Sequence, residues 1–186
     1  GYEADDIIAT YTKEAEKKGI PVTIVSSDKD LMQLVNRNTK MYDSMKNNLI
    51  GINEVKEKFG VVPEKVIDVQ ALAGDSIDNI PGVSGIGIKT AAELINNFNN
   101  LENLLSKIDE IKQPKRKEIL NLEKDKALIS KQLVTLKSDI KMDKKYDSNL
   151  FQGINHKTSL KFFEKHGFKN LISRFSKKND NKKESV

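Results

Sequence analysis

Residues 74–92 read GDSIDNIPGVSGIGIKTAA, and how this stretch is read decides the fold. Two acids spaced i, i+3, Asp75 and Asp78, lead into a glycine-rich hairpin and then into a second helix. At that spacing both carboxylates would lie on one face of a helical turn, where they suit a metal ion. Pro81, Gly82, Gly85 and Gly87 allow the backbone to turn tightly, and the following helix offers its unpaired first amides to an anion. Lys89 and Thr90, in that first turn, add a charge and a hydroxyl for a phosphate. The segment predicts a helix–hairpin–helix whose Gly82, Ser84, Gly85, Gly87, Lys89 and Thr90 hold a nucleic-acid backbone regardless of base sequence, with affinity that falls as salt rises. An ordinary turn between packed helices would account for an isolated Gly-x-Gly, but less well for this longer string.

Two further acidic groups stand upstream: Glu3, Asp5 and Asp6 at the start of a predicted helix, and Asp28 and Asp30 just after a predicted strand. The carboxyl end of a strand is where open α/β sheets gather ligands. Taken singly, each group could serve only to cap a helix and favour its dipole. Seven converging carboxylates without matching bases would repel strongly unless divalent cations offset them. The chain has no cysteine and two histidines, so the donors are oxygens and the expected cofactor is Mg²⁺, as two ions, with Mn²⁺ as the alternative. A pair of such ions about 3.5–4 Å apart can activate water and stabilise the leaving oxygen of a phosphodiester.

The charge distribution agrees. Residues 1–100 hold 11 Lys/Arg against 15 Asp/Glu, a net of −4, and residues 101–186 hold 21 against 12, a net of +9. An acidic half beside a basic half fits a metal centre next to a polyanion track, although lysine abundance alone could produce the basic half. With 186 residues and 37% hydrophobic content the chain can bury a core. No run approaches the ~18 apolar residues of a membrane span and no secretory leader is visible. The expectation is a cytoplasmic monomer with no membrane partner.

Helical periodicity over residues 2–18, with Ala4, Ile7, Ile8, Tyr11 and Ala15 on one side, ends at Gly19. The β-branched run 21–27 suits a buried strand, a short helix follows Asp30, and 39–43 and 47–51 read as strands around Lys46-Asn47-Asn48. Helices are predicted over 53–59, 63–73, 88–97, 101–108, 114–120, 123–133 and 157–166, and beyond Phe175 a flexible basic tail or linker.

Gly1–Asp6 (GYEADD), residues 22–35 (VTIVSSDKDLMQLV) and residues 72–91 (LAGDSIDNIPGVSGIGIKTA) resemble the three C-terminal acidic motifs of the 5′-nuclease (flap endonuclease) family. The likeness is strongest to the 5′–3′ exonuclease domains at the N-termini of bacterial DNA polymerases, and it runs from Gly1 to about Phe175. It implies an α/β fold: the C-terminal part of a parallel or mixed-sheet nuclease domain over 1–58, a helical DNA-binding region with a helix–three-turn–helix over 59–176, and a tail over 177–186. By resemblance Glu3 and Asp5 belong to the first metal site, Asp28, Asp30 and Asp75 to the second, and Asp6 and Asp78 are auxiliary or outer-sphere. Those five first-named acids are the expected catalytic set. K⁺ on hairpin carbonyls is a further implied cofactor. The implied reaction is Mg²⁺-dependent hydrolysis near a single-strand/duplex junction, leaving a 5′-phosphate and a 3′-hydroxyl. Implied partners are duplex DNA with a 5′ flap or junction, an RNA primer–DNA hybrid, and a polymerase module in the same polypeptide; the implied location is bacterial cytoplasm, at the nucleoid. The family also carries an upstream segment with two more aspartates and a helical arch, without which this chain is expected to show little or no nuclease activity.

Two rival readings use the same residues: a non-catalytic duplex-binding module that keeps only the hairpin, and an RNA-cleaving domain with a similar acidic sheet. His156 and His166 are expected in surface or packing roles. The basic run Lys112–Lys117 could touch DNA or be a solvated turn. Phe162, Phe163 and Phe168 read as core, and Lys177, Lys178, Lys182 and Lys183 as linker.

Overall fold

A computed structural model describes residues 1–143, 150, 151 and 153–180, with side chains to Ser176. The chain forms two compact units, Gly1–Asp143 and Lys144–Val186.

The first unit starts with helix α1 (Ala4–Lys17), which Gly19 ends with φ +66°. Its buried face is rotated from the expected one: Ala9, Thr10, Thr12 and Ala15 are buried, while Ile7 is exposed. The rotation follows from the loop at 134–140, where the Lys137 carbonyl accepts from Thr10 Oγ1 (3.4 Å) and the Ile140 amide donates to it (3.3 Å). Strand β1 (Val22–Val25) pairs parallel with β2 (Thr39–Asp43), which pairs antiparallel with β3 (Asn48–Ile50). The fold is therefore α/β with a mixed three-stranded sheet in the order β1-β2-β3. The expectation of a buried strand at 21–27 is corrected. β1 lies at the sheet edge, with Ile24 buried and Val25 66% exposed, the alternation of a strand covered on one face. Asp43 fixes the β2–β3 turn by accepting from the amides of Met45 (3.0 Å) and Lys46 (3.1 Å), and Asn47 takes φ +50° there.

The helices follow as α2 (Ile52–Phe59), α3 (Val66–Ala73), α4 (Ile88–Phe98), α5 (Leu101–Ser106), α6 (Pro114–Leu122) and α7 (Lys124–Val134). One core joins Ile24, Met41 and Ile50 of the sheet to Val55 and Phe59 of α2, Val66, Val69 and Leu72 of α3, and Ile95, Leu104, Leu120 and Ala127 beyond. Packing thus runs unbroken across residue 58 and parts at 143/144. Apolar burial on this scale contributes ~1.5–3 kcal/mol per large side chain.

In the second unit α8 (His156–Lys165) and α9 (Lys169–Asp180) form a helical hairpin. Helix α9 was not foreseen, and it carries the chain as helix through Asp180 where a flexible tail was expected from residue 177. Its Leu171, Ile172 and Phe175 recur at helical spacing, and Phe175 meets Phe163 edge-on at 5.0 Å and His156 at 5.2 Å. The histidines fit the expected surface or packing roles: both are exposed, and His166 lies 4.4 Å from Phe162. Phe162 and Phe168 are not core: both stay about half exposed, because two short helices cannot enclose them. Lys182 and Lys183 lie outside the described residues.

The loop from α3 to α4 turns on two glycines packed back to back. Gly74 has φ +69° and Gly82 φ +59°, and a Cβ on Gly82 would sit 2.5 Å from the Gly74 nitrogen. Gly85 has φ +74° but faces open space. Gly82→Ala should therefore lower stability by about 3 kcal/mol or more, combining strain with a backbone clash, and Gly85→Ala by about 1 kcal/mol from strain alone. Urea unfolding midpoints measure both; equal losses would contradict the packing.

Candidate active site

Glu3 is the N-cap of α1, and Asp5 and Asp6 occupy its first turn. Asp6 is spent on the fold. Its Oδ2 accepts from the Glu3 amide at 3.3 Å and its Oδ1 from the Lys137 amide at 2.8 Å, closing the helix start against the 134–140 loop. Asp5 has no such partner among the described residues, and burial first, then the charges of Asp28, Asp30, Glu3 and Asp6, push its carboxyl above the usual aspartate value.

Asp28 and Asp30 leave the carboxyl end of β1. The Asp28 amide donates to Ser26 Oγ (3.0 Å), and the Asp30 amide donates to Asp28 Oδ1 (3.0 Å), a tight local turn that starts the 3₁₀ helix Asp30–Leu34. Asp30 is also pushed up, by burial and by Asp28 and Asp78, against the lowering effect of a hydrogen bond from Gln70 and the charge of Lys29.

Asp75 and Asp78 do not share a helical turn. Helix α3 stops at Ala73, and Asp75 and Ile80 close a tight loop by exchanging backbone hydrogen bonds of 2.9 and 2.7 Å. The positive φ of Gly74 ends the helix, and Asn79, at φ +55°, shapes the loop. Asp75, with its side chain largely buried, accepts from the Ile77 amide (2.9 Å) and forms an ion pair with Lys29. Asp78 is exposed but close enough to raise Asp30.

The structure thus brings Glu3, Asp5, Asp6, Asp28 and Asp30 into one electrostatic field, with Asp75 and Asp78 at its border. Among the described residues, no three of these acids close on a single point as the ligands of one ion. The donor set still fits a hard divalent cation: the donors are carboxylate oxygens, and the repulsion that raises Asp5 and Asp30 is what such a cation would relieve.

The hairpin residues divide in two. The Gly82 amide donates to Ser130 Oγ (3.0 Å) and the Val83 amide to the Leu72 carbonyl (2.8 Å), so this part is held internally. Ser84 donates through its amide (2.6 Å) and its hydroxyl (2.8 Å) to the Glu123 carboxylate. Lys126 first, then Ser84, hold that carboxyl down to about 2. Gly85, Gly87 and Lys89 form the open remainder. A Cβ on either glycine would meet nothing within 4 Å, and Lys89 is exposed, with no ion pair among the described residues. Thr90 is half-buried in the first turn of α4.

Sequence reading missed Lys29, Gln70 and Glu123. Lys29 was visible as a lone base between two acids; Gln70 and Glu123 carry no local signal, being brought in by packing.

Residues 1–60 match the profile of the 5′-3′ exonuclease N-terminal, resolvase-like domain, and residues 61–157 that of the 5′-3′ exonuclease C-terminal SAM fold. The chain belongs to the 5′-3′ exonuclease family. Among its relatives, a DNA polymerase I of Rhizobium leguminosarum is 51% identical over 94% of this chain and 17% of that protein. A 5′-3′ exonuclease of Buchnera aphidicola (from Acyrthosiphon pisum) is 38% identical over 88% of this chain and 59% of that protein. The chain therefore spans less than two thirds of either relative. A bacteriophage T5 flap endonuclease, solved as a pseudo-enzyme–product complex with DNA and metal ions, superposes with a TM-score of 0.68 and 26% identity, over 74% of this chain and 51% of that one.

In this family setting the Lys29–Asp75 pair makes a checkable claim. Lys29→Met leaves the Asp75 carboxylate largely buried and unpaired, and should cost about 2 kcal/mol of stability in EDTA. Excess Mg²⁺ should recover part of that loss, since a cation near Asp75 replaces the missing charge. Chemical unfolding in both buffers measures it; an equal loss in each would separate Asp75 from any metal site.

Proposed function

We propose that the full-length protein is a structure-specific 5′–3′ exonuclease and flap endonuclease that hydrolyses DNA, and RNA primer, phosphodiesters in replication and repair. The observation that carries this reading is the shared field of Asp5, Asp28 and Asp30 at the carboxyl end of β1, in a chain of this family. Glu3, Asp5, Asp28, Asp30 and Asp75 would hold two Mg²⁺ or Mn²⁺ ions, with Asp78 in an outer role. Asp6 is a weaker ligand candidate, because two backbone amides already occupy its oxygens. When bound, such ions supply Lewis acidity at the phosphorus and a readily ionised attacking water. Water adds to phosphorus, the bond to the 3′ oxygen breaks, and that oxygen takes up a proton, leaving a 5′-phosphate and a 3′-hydroxyl.

The α3–loop–α4 segment would act as a helix–hairpin–helix that holds duplex backbone. Gly85 and Gly87 would permit close approach of a phosphate, and Lys89 and Thr90 would contact it, with K⁺ as a further hairpin ligand. Gly82 and Ser84 would instead shape the hairpin from inside. Residues 1–58 would carry most of the metal-binding acids and 59–176 the duplex-binding surface. The substrates proposed are a duplex with a 5′ flap or junction and an RNA primer–DNA hybrid, met by a cytoplasmic, nucleoid-associated monomer; the DNA polymerase I relatives support a polymerase module in the same polypeptide.

A 5′-flap duplex incubated with Mg²⁺ and the full-length protein tests both halves. Cleavage should fall by about 10²–10³-fold or more on replacing Asp28 and Asp30 together by Ala. Flap binding should persist in that variant, while Lys89→Ala should weaken binding for all sequences and reduce the salt slope by about 1. Unchanged cleavage in the double variant would end the nuclease reading. Binding without any cleavage by the wild type would favour a duplex-binding module, and preference for RNA alone over flap DNA would favour an RNA-cleaving domain.

A further inference from the structure

Gln70 is a long polar side chain in the middle of α3, and it is only 5% exposed. Its Nε2 donates to Asp30 Oδ1, a contact between helix and sheet loop across 40 residues of sequence. The opposite amide orientation would set a carbonyl against a carboxylate, so the hydrogen bond fixes which end points where. The other end, Oε1, is buried and accepts no hydrogen bond among the described residues. A buried amide oxygen left without a donor costs ~1–3 kcal/mol, and such an exception calls for an explanation.

Its surroundings supply one. Gln70 lines a cleft of about 650 Å³ whose walls include Lys29, Gly74, Asp75, Ser76 and Asn79. Gln70 thus bonds Asp30 on the sheet side and shares this cleft with Asp75 on the helical side. Lys29 and Asp30, adjacent in sequence, reach Asp75 and Gln70 respectively, so two crossed contacts set the distance between the elements.

We propose that Gln70 is a positioning residue for a hydrated divalent cation: its amide N–H holds Asp30 in one rotamer, and its Oε1 accepts a hydrogen bond from the water that the cation retains. Mg²⁺ sheds water reluctantly and is commonly bound through one or two carboxylates with water in the remaining places, so acceptors beside those carboxylates orient the ion without touching it. The proposal rests on the metal-binding reading above and concerns a residue that reading does not use. A purely structural role for Gln70, as a hydrogen-bond partner that lets Asp30 be buried, would leave Oε1 without purpose.

Mn²⁺ binding to the full-length protein, followed by the electron paramagnetic resonance of the free ion, tests this without reference to cleavage. Gln70→Met keeps the volume and removes both polar atoms. It should weaken the tightest Mn²⁺ site by about 10-fold, with Gln70→Leu as the alternative if the methionine variant does not fold. In an Asp30→Ala background the same change should have little effect, because the residue acts through Asp30. Unchanged affinity in a folded variant, or an equal loss in both backgrounds, would overturn the proposal while leaving the nuclease reading intact. A wild-type protein that binds no Mn²⁺ would overturn both. A measurement needing no variant supports or sinks it as well: the Gln70 side-chain NH₂ resonances should move along the Mg²⁺ binding isotherm, and resonances that stay fixed through saturation would refute it.

Discussion

The burial of α3 is the constraint on which the rest of the molecule depends. Val66, Val69, Ala71 and Leu72 are fully enclosed, and so, almost, are the polar Asp68 and Gln70. A helix so deeply enclosed leaves little of its polar side chains to bulk solvent, and Asp68 and the Gln70 Nε2 meet groups of the protein instead. Asp68 meets Lys131 Nζ at 2.7 Å, and the same ammonium reaches Glu102 at 2.6 Å, joining α3 to α7 and α5. Burial alone would lower the Lys131 ammonium, but its hydrogen bonds to Asp68 and Glu102 outweigh that and hold it above the ordinary lysine value. Apolar packing sets how deep α3 lies; this ion network and the Gln70–Asp30 bond set its rotation. Once depth and rotation are fixed, Gly74 and Asp75 can only emerge beside the loop that carries Asp28 and Asp30.

That arrangement places strongly repelling groups together, and the fold manages them unequally. Asp6 is neutralised locally by two amides, Asp75 by Lys29, and Asp30 in part by Gln70. Asp5 has the field of its neighbours and little to offset it. Asp5 and Asp30 remain raised by burial and by their neighbours' charges, and under the proposed function an external cation would relieve them.

Much of this was legible in the sequence, and the gaps have physical causes. Strand and helix periodicity located α1 to α8, and the acids at the end of β1 were recognisable because loop chemistry follows strand ends. Readings failed where tertiary packing or a local backbone break overrides the sequence pattern. The apolar side of α1 was assigned from Ile7 and Tyr11, but the 134–140 loop, 120 and more residues away, covers Thr10 instead. Asp75 and Asp78 have helical spacing, but Gly74 breaks the helix one residue earlier, and spacing alone cannot reveal a positive φ. The end of α9 is lysine- and asparagine-rich and reads as a tail, yet its helical continuation needs only the Leu171–Phe175 contacts upstream.

The hairpin shows why composition alone overstates a binding surface. Six residues there have chemistry suited to phosphate, but an anion already satisfies part of the loop: Glu123 takes the Ser84 amide and hydroxyl that a phosphate oxygen would otherwise accept from. A carboxylate held in a nest of donors shows that the donors are correctly aimed and, at the same time, removes them from the available set. What remains open is narrower, Gly85, Gly87 and Lys89: a Cβ on either glycine would meet nothing within 4 Å, and the lysine has no ion pair, among the described residues. In the proposed reading, Glu123 would confine phosphate contact to the side of the loop nearest the α4 N-terminus, where the helix dipole would add to the lysine charge. Specificity for position along a backbone can arise this way, by occupying some of the equivalent donors and leaving others free.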